Sequence, residues 1–391
     1  MRILICTAFS LDKPSAGLNK MKDLISALKL YGVETYISGF KNQDTKFKNK
    51  NYQVKGEKIF FNFNEKIYRH SKSLSINVNT ADFYYKNLDK IIKELSIDLI
   101  IVYSTFSTLI EPIINISRKN KVKVTAYVGE LFNFSLKYLF NGVLFMQYKA
   151  FFFSFKLLDG LICASPSWQS YSQKINKQSV LLPTFINLER FQDFKKSKNK
   201  NFRIVLLSNL SKREHPLVLI DAIRKIEKMN ENVELYILAD KPKYSLVNLR
   251  SFFLRIKLSM LKNIIFTGFL NNFERDKIMS SADCFVLLRS PDLESKFLFP
   301  VRIGEYFSAT KPLIISCVNP FNKFFEHKKE VFFINGKNKH NELVDAILEL
   351  KSNTELSKKI SNNARKYGVN YFSKDFLGLQ VLEFLKNILN E

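Results

Sequence analysis

Short apolar runs alternate with amphipathic stretches along almost the whole chain. The runs include RILIC, DLIIVY and KVTAYV in the first half, and FRIVLLS, VELYILA and PLIIS in the second. Between them, apolar residues recur at helical spacing, as in LNKMKDLISALKLYG. Near-continuous apolar strands that alternate with helices are typical of parallel sheets covered on both faces. The pattern therefore predicts an α/β protein built from Rossmann-like, doubly wound sheets.

The strand–helix pattern occurs twice, and a length of 391 residues suits two domains. The polar segment QDFKKSKNKN separates the two sets and has no apolar periodicity, which is typical of a linker. We predict an N-terminal domain over residues 1–191, a linker over 192–201 and a C-terminal domain over 202–371. An amphipathic helix over 372–391, with Ser373 as its N-cap, is expected to pack back toward the first domain.

The strand-to-helix turns are the expected places for chemistry. Two doubly wound domains would face each other across a cleft, and such sheets bind ligands beyond the carboxyl ends of their strands. In the first turn, Gly17 is either an ordinary loop glycine or a point of close ligand approach at a helix N-terminus. In SNLSKREHP, Lys212 and Arg213 lie beside a helix with Pro216 at its first position. They form either a diphosphate site or a solvated charge cluster.

A later turn in the second half contains FPVRIGEYFSATKPLIIS. Arg289 ends the preceding strand, and Pro300 suits the first turn of a helix that carries Arg302 and Glu305. These two residues lie at i and i+3, where they could form an exposed ion pair. Alternatively, Glu305 could accept hydrogen bonds from vicinal ribose hydroxyls, because a carboxylate is a pure acceptor.

The chain is strongly basic, with 61 Lys and Arg residues against 36 Asp and Glu residues. A net charge of +25 attracts phosphates in nucleic acid, anionic lipid or phosphorylated substrates. An RRM signature and a basic helix-turn-helix are both missing from the sequence, so nucleic acid is not the predicted partner. The patterns GxxxxGK[ST], G-x-S-x-G and H-E-x-x-H are missing too, which disfavours P-loop NTPases, α/β-hydrolases and zincins.

Two further compositional features bear on cofactors and location. The sequence lacks a D-x-D triplet, so we predict no metal; cationic side chains and a helix dipole would neutralise a bound diphosphate instead. The four cysteines lie in or beside apolar runs and form no CxxC pair, which predicts a reduced, cytoplasmic compartment.

An aromatic stretch over residues 139–158 carries Lys149 and Lys156 among its phenylalanines. These lysines and Asp159 interrupt the apolar character, so the stretch does not predict a transmembrane helix. Two interpretations remain open. The stretch is either an interfacial helix that lies on anionic lipid or a core helix of the first domain.

Taken together, three segments resemble the GT-B-fold glycosyltransferases of the family 4 type, which act in bacterial polysaccharide and glycoconjugate assembly. LDGLICASPSWQSYSQKINKQSVLLPTFINLERF is similar to the end of that family's first domain. NIIFTGFLNNFERDKIMSSADCFVLLRS is similar to its strand–Gly, helix, Ala-Asp, strand series through Gly268. FPVRIGEYFSATKPLIIS is similar to the P-(T/V)-K-x-x-E-Y-(L/M)-A-x-G-x-P variant of its nucleotide-sugar motif. The resemblance spans nearly the whole chain and is strongest over 268–316.

The resemblance implies a hexosyltransferase that uses a nucleotide sugar, retains anomeric configuration and needs no metal or other cofactor for chemistry. The acceptor would be a glycan or a lipid-diphosphate-linked sugar, in capsule, lipopolysaccharide or related assembly. The enzyme would be cytoplasmic. If the aromatic stretch is the interfacial helix, it and the +25 charge predict a peripheral position on the inner face of the membrane through residues 139–158. Glu305 and Gly268 would bind the donor nucleotide and its ribose, and Glu130 would contact the acceptor as the candidate catalytic residue. The diphosphate would lie against Gly17, Lys212, Arg213 and Arg302. Arg289 is a further diphosphate candidate from its position at a strand end alone.

The sequence also departs from the family pattern. Phe297 stands where the first glutamate of the E-x7-E motif is expected, and Glu294 is three residues too early to replace it. Thr310 stands where the motif usually has glycine, and the turn at 208–216 lacks the usual Gly-Arg and Lys-Gly pairs. These departures favour an alternative, a non-catalytic GT-B-like scaffold at the membrane. A basic nucleic-acid-binding protein is a second alternative, motivated by the charge.

Overall fold

A computed structural model describes residues 1–10, 15–40, 52–54, 57–61, 74–131, 142–194, 200–208, 212–239, 263–268, 270–335 and 339–391. The chain divides into two compact units. Unit 1 comprises Met1–Phe185, Lys296–Val301 and Ser373–Glu391, and unit 2 comprises Ile186–Ser295 and Arg302–Phe372. The chain therefore passes four times from one unit to the other. Nothing in the hydrophobic pattern predicted that the short segment 296–301 belongs with the first unit.

Unit 1 is built on an eight-stranded sheet with the strand order β3-β4-β2-β1-β5-β6-β7-β8. Neighbouring strands pair in parallel except β3 with β4. The order reverses at β1 and β5, so the topological switch point of this sheet lies between them. The strands are β1 (Arg2–Ser10), β2 (Glu34–Phe40), β3 (Tyr52–Val54), β4 (Glu57–Phe61), β5 (Leu99–Tyr103), β6 (Lys123–Val128), β7 (Gly160–Cys163) and β8 (Gln178–Leu181).

Unit 2 is built on a six-stranded, fully parallel sheet with the order β11-β10-β9-β12-β13-β14. Its switch point lies between β9 and β12, where Cys284 is in register with Ile204. The strands are β9 (Phe202–Leu207), β10 (Val233–Leu238), β11 (Ile264–Phe266), β12 (Cys284–Leu287), β13 (Leu313–Ser316) and β14 (Phe332–Ile334). The predicted α/β class with two doubly wound sheets is confirmed.

Helices follow most of the strands. They are α1 (Ala16–Lys29), α2 (Leu74–Leu95), α3 (Ser107–Lys119), α4 (Gly142–Phe152), α5 (Pro166–Lys174), α6 (Pro216–Lys228), α7 (Asn272–Ser280), α8 (Leu293–Phe297), α9 (Arg302–Ser308), α10 (Phe321–Phe324), α11 (Lys339–Ser352), α12 (Thr354–Phe372) and α13 (Lys374–Asn390). None of the helices in the described part of the chain is long and apolar enough to cross a membrane.

Local signals at the helix ends gave mixed results. Pro216 is the first residue of α6, and the hydroxyl of Ser373 accepts a hydrogen bond from the Phe376 amide at 3.2 Å, so both predictions are confirmed. The prediction for Pro300 is wrong. Its helix, α9, begins two residues later at Arg302, and Pro300 itself lies in the segment that belongs to unit 1.

Two aspartates have the same structural role in the two sheets. Asp159 precedes β7 and accepts a hydrogen bond from the Val124 amide at 2.7 Å. Asp283 precedes β12 and accepts one from the Arg203 amide at 2.8 Å. Each carboxylate accepts from the amide of the second residue of a neighbouring strand, so it satisfies a backbone donor near the start of that strand. The family-like Asp positions are therefore explained by sheet formation.

The segment 296–301 contributes to an aromatic core in unit 1. The ring of Phe297 lies 4.8 Å from the fully buried Trp168 in a T-shaped arrangement and 6.3 Å from Phe151. The hydroxyl of Thr184 donates to the carbonyl of Val301 at 3.0 Å. Offset and edge-to-face aromatic pairs are favourable beyond their buried area, which explains why so short a segment packs stably here.

Candidate functional site

The switch point of the unit 2 sheet is lined by charged side chains. Ser208 directly follows β9, and Arg289 follows β12 by two residues. Arg302 is the first residue of α9. Because the carboxyl ends of parallel strands meet at one edge, these residues come together although the sequence separates them. This is the position at which such sheets bind ligands.

Glu214 connects these side chains. Its carboxylate is 5% exposed and accepts a hydrogen bond from Arg302 Nη2 at 2.5 Å. It also accepts one from the hydroxyl of Ser208, and Arg289 Nη2 lies 3.7 Å away. Arg302 additionally donates to the carbonyl of Leu207 at the end of β9. One buried carboxylate thus faces two guanidinium groups, which leaves one positive charge uncompensated within this cluster.

Arg289 has the least satisfied charge in the cluster. The residue is 5% exposed, and its Nε has no hydrogen-bond partner within the described part of the chain. Burial lowers the pKa of Arg289, and the nearby Glu214 carboxylate only partly opposes that effect. A guanidinium has five N–H donors, and leaving one buried without an acceptor is costly. The geometry therefore suits an anion beside Arg289.

The positive charge of Arg302 is better stabilised by its surroundings than that of Arg289. Burial opposes its charge, but Tyr306 and Glu214 together raise the pKa of Arg302 above its usual value. Beside this cluster, Arg213 forms an ion pair with Glu294, which is 8% exposed. The side chain of Lys212 lies outside the described residues, although its backbone belongs to the 3-10 turn Lys212–Glu214.

Glu305 does not pair with Arg302, so the ion-pair alternative for these two residues is wrong. Instead, Glu305 Oε1 accepts a hydrogen bond from Arg190 Nη1 at 2.7 Å. Arg190 also donates through Nε to Asp276 at 2.6 Å, and Arg275 Nη2 lies 3.8 Å from the same Glu305 oxygen. Both ion pairs that Glu305 forms within the described ranges use Oε1. The second carboxylate oxygen, Oε2, takes part in neither of them.

The positive charge of Arg190 is strongly stabilised by two neighbouring carboxylates. Burial opposes that charge, but its contacts with Asp276 and Glu305 raise the pKa of Arg190 well above its usual value. The guanidinium is anchored on Asp276 and presents one nitrogen to Glu305. Arg190 is therefore a residue that fixes the Glu305 carboxylate in place.

Phe297 and Gly268 complete the positions predicted for the second domain. Phe297 is 8% exposed in the aromatic core of unit 1, so its surroundings are apolar as well as its side chain.

Gly268 follows the edge strand β11 and has φ = 70°, a left-handed conformation that favours glycine. Its amide donates to the carbonyl of Ala239 at 3.2 Å. A turn at the strand end thus explains this glycine, and its nucleotide contact stays a prediction.

In unit 1, Gly17 is the second residue of α1, whose N-cap Ser15 accepts a hydrogen bond from the Leu18 amide at 3.1 Å. Glu130 lies just beyond β6 with an exposed side chain. Its carbonyl accepts a hydrogen bond from the buried amide of Gln147 at 3.2 Å. Gly17 thus lies in the first turn of a helix, and Glu130 lies just after the end of a strand. Their ligand contacts stay predictions.

Lys20 is a buried charge that the sequence analysis missed. It lies on α1, is 2% exposed, and its ammonium donates to the carbonyls of Leu182 at 2.8 Å and Pro183 at 2.5 Å. Its Nζ also lies 4.6 Å from the centre of the Tyr127 ring. Burial lowers the pKa of Lys20 to about 7, and Asp23 partly opposes the shift.

The missed residues share a physical reason. The arginine partners of Glu214, the carboxylate partners of Arg190 and the carbonyl partners of Lys20 are distant in sequence, so no local period or motif marks these contacts. Glu294 differs from these residues, because the sequence places it three residues before the expected first glutamate of the E-x7-E motif. Its ion pair joins α8 to Arg213, which lies 81 residues earlier in a 3-10 turn.

Comparison with known proteins agrees with this architecture. Residues 189–367 match the family model Glycosyl transferases group 1. No curated protein matches the chain in sequence. The matched segment contains β9 to β14 and the whole charged cluster of unit 2. The family match thus covers 179 of the 391 residues of the chain.

Solved structures with the same fold cover nearly the whole chain. A glycosyltransferase from Rickettsia africae is 16% identical with a TM-score of 0.70, covering 100% of this chain and 99% of that one. Sucrose-phosphate synthase from Thermosynechococcus elongatus is 13% identical with a TM-score of 0.74 and the same coverages. Anabaena HepE, solved with UDP and glucose, is 13% identical with a TM-score of 0.69, covering 99% of this chain and 100% of that one. At these identities the similarity shows the fold, which is GT-B.

Proposed function

We propose that this protein is a retaining hexosyltransferase that moves a sugar from a nucleotide-sugar donor to a glycan or lipid-diphosphate-linked acceptor. The observation that supports the proposal most directly is the buried Arg289 at the switch point of unit 2. Its Nε has no hydrogen-bond partner among the residues that the structure describes, and it lies beside Glu214 and Arg302. A diphosphate would supply both the negative charge and the acceptor oxygens that this cluster lacks. Unit 2 is the segment that matches the family, which supports placing the donor there.

In this proposal the arginines assist departure of the leaving group. When the bond between the sugar and the diphosphate breaks, negative charge grows on the phosphate oxygen that leaves. Arg289 and Arg302 are already in place and partly shielded from water, so they stabilise that charge without reorganising. Arg213 and Lys212 would add positive charge at the same turn. No metal is required for this step.

Glu305 would bind the ribose of the donor. Arg190 donates a hydrogen bond to Oε1 at 2.7 Å, and Oε2 would accept hydrogen bonds from the vicinal hydroxyls.

Unit 1 would bind the acceptor, with Glu130 at the end of β6 as the candidate contact. We place the enzyme in the cytoplasm of a bacterium, peripheral on the inner membrane face, in assembly of a surface polysaccharide or glycoconjugate.

Thermal unfolding in the presence of nucleotides tests the donor site. UDP and UDP-glucose should raise the melting temperature, because a ligand at 100 times its Kd stabilises by about 2.7 kcal/mol. Arg289→Met and Glu305→Gln should each reduce the shift. Glu355→Gln is the matched control, because Glu355 is an exposed carboxylate on α12. If the melting temperature of the wild type does not change with GDP, ADP, UDP or the corresponding nucleotide sugars, the proposed donor site is refuted.

A scaffold without activity is the second candidate, and a specific observation favours it. Phe297 is packed into an aromatic core, so the position of the first motif glutamate holds no carboxylate. A scaffold would still bind nucleotide but would release no nucleoside diphosphate from any donor. Measurement of UDP release with a panel of UDP-sugars therefore separates the two candidates.

A further inference from the structure

A line of exposed phenylalanine and lysine residues runs along α4 and the 3-10 turn that follows it. We call this set the α4 stripe. Its apolar members have unusually high exposure for their type: 51% for Phe145, 51% for Phe152, 65% for Phe153 and 44% for Leu157. Lys149 and Lys156 lie between them. Together the stripe consists of Phe145, Lys149, Phe152, Phe153, Lys156 and Leu157.

Helical spacing explains why three of these residues share one face of α4, and the other three follow in the adjoining turn. Phe145, Lys149 and Phe152 lie at i, i+4 and i+7 on α4. The opposite side of the same segment is anchored in unit 1. Gln147 is fully buried there and donates to the hydroxyl of Thr105 at 2.9 Å, and Phe155 packs against Trp168 at 5.8 Å. The stripe is therefore a firmly anchored surface. The inner side of the segment packs as the core interpretation predicts, and the interfacial interpretation stays a prediction.

The surroundings of the stripe are basic. Arg118, at the end of α3, donates from Nη2 to the carbonyl of Leu157 at 3.0 Å. Lys119 and Lys121 follow it with exposed side chains. Lys149 reaches Glu111 at 2.6 Å and remains 42% exposed. Exposed aromatic rings among cations match a bilayer that carries anionic headgroups, since rings enter the acyl boundary while ammonium groups stay at the phosphates.

We propose that the α4 stripe docks unit 1 on a membrane surface rich in anionic phospholipid. The cations favour this occupant over an apolar protein partner, because exposed lysines are depleted at the centres of protein interfaces. The net charge of +25 adds long-range attraction to the same surface. The stripe serves the membrane location proposed above and rests on that proposal, whereas the donor chemistry plays no part in it.

Sedimentation with vesicles tests the stripe directly. The full chain should sediment with vesicles of phosphatidylcholine and phosphatidylglycerol at low salt, and much less with phosphatidylcholine alone. Phe152→Ser/Phe153→Ser and Lys156→Glu should each weaken binding by roughly tenfold or more. Phe273→Ser is the matched control, because Phe273 is a 68% exposed phenylalanine of unit 2. It should bind like the wild type.

Insertion of the stripe has its own signature. Tryptophan placed by Phe153→Trp should be quenched by brominated phosphatidylglycerol vesicles, and tryptophan placed by Phe273→Trp should not. Equal binding by the Phe152→Ser/Phe153→Ser protein, or no sedimentation of the wild type, would overturn the proposal. So would a dimer in analytical ultracentrifugation that this double variant abolishes while vesicle binding is unchanged. No nucleotide or acceptor is present, so these results stand apart from the donor experiment.

Discussion

At the scale of single residues, two guanidinium groups and one hydroxyl converge on the carboxylate of Glu214. Removing one partner of a buried ionic group is costly, because the remaining charge loses both its counter-ion and its water. Glu214 lies in the sequence KRE, where its neighbours suggest only a charged loop. Its importance follows from contacts with Arg302 and Arg289, which are 88 and 75 residues away in the chain.

Glu214→Ala should lower the free energy of unfolding by about 3–5 kcal/mol, since it leaves the buried guanidinium of Arg289 and the partly buried one of Arg302 without this carboxylate. Urea denaturation measures the change. Glu355→Ala removes an exposed carboxylate of α12 and should change stability by about 0.5 kcal/mol or less. A Glu214→Ala protein as stable as this control would show that the cluster does not depend on the carboxylate.

The buried amine of Lys20 should make stability depend on pH. Its pKa is about 7 in the folded protein against an ordinary 10.5, so the unfolded chain binds more protons between these values. Stability contributed by this group therefore rises as pH increases through that window, by up to roughly 1.4 kcal/mol per pH unit. The unfolding free energy of the wild type minus that of Lys20→Met, measured by urea at pH 7.5, 8.5 and 9.5, should increase accordingly. Parallel curves for the two proteins would contradict this.

Thr310 occupies a conformation that suits the glycine of the family motif, with φ = 53°. A β-branched residue is strained in this left-handed region, so Thr310→Gly should raise the free energy of unfolding by about 1 kcal/mol. Thr310→Val keeps the strain and removes the 3.3 Å hydrogen bond from Arg365, so it should give no gain. Urea denaturation compares the three proteins. Stabilisation by valine but not by glycine would contradict the backbone explanation.

At the scale of elements, the segment after α8 shows how packing can decide a motif position. Phe297 ends α8 and packs against Trp168 and Phe151. A sequence motif records which residue stands at a spacing, but it does not record which core that residue enters. The strands and their order followed from apolar runs because burial on both faces requires them. The fate of Phe297 could not be predicted, because it depends on contacts more than 120 residues away.

Phe297→Glu should therefore not restore the family pattern. The carboxylate would be buried among aromatic rings, so the free energy of unfolding should fall by roughly 3–5 kcal/mol, with no gain in sugar transfer. Phe297→Leu keeps an apolar side chain and should cost about 1–2 kcal/mol. Urea denaturation and UDP release measure the two effects. A stable Phe297→Glu protein with higher transfer activity would show that the position can serve as an active-site carboxylate.

At the scale of the whole molecule, the repeated strand–helix pattern predicted two doubly wound sheets correctly. The strand-end turns also proved to be where charged residues gather, because parallel strands bring their carboxyl ends to one edge. Which of those charged residues pair with one another could not be predicted from the sequence. Glu305 was singled out as a binding residue, yet its partner Arg190 lies 115 residues earlier and carries no local signal.

The four passages of the chain between the units limit how the protein can be dissected. A fragment that ends at residue 191 retains every strand of the first sheet but lacks α13. This helix packs closely on α1: a Cβ added to Gly378 would lie 2.9 Å from the Ala27 carbonyl oxygen. That fragment should expose the apolar face of α1 and aggregate, as size-exclusion chromatography would show. Rejoining 296–301 and 373–391 through short linkers should yield a monodisperse product. Genetic fusion, truncation or exchange of this half must therefore carry all three pieces together.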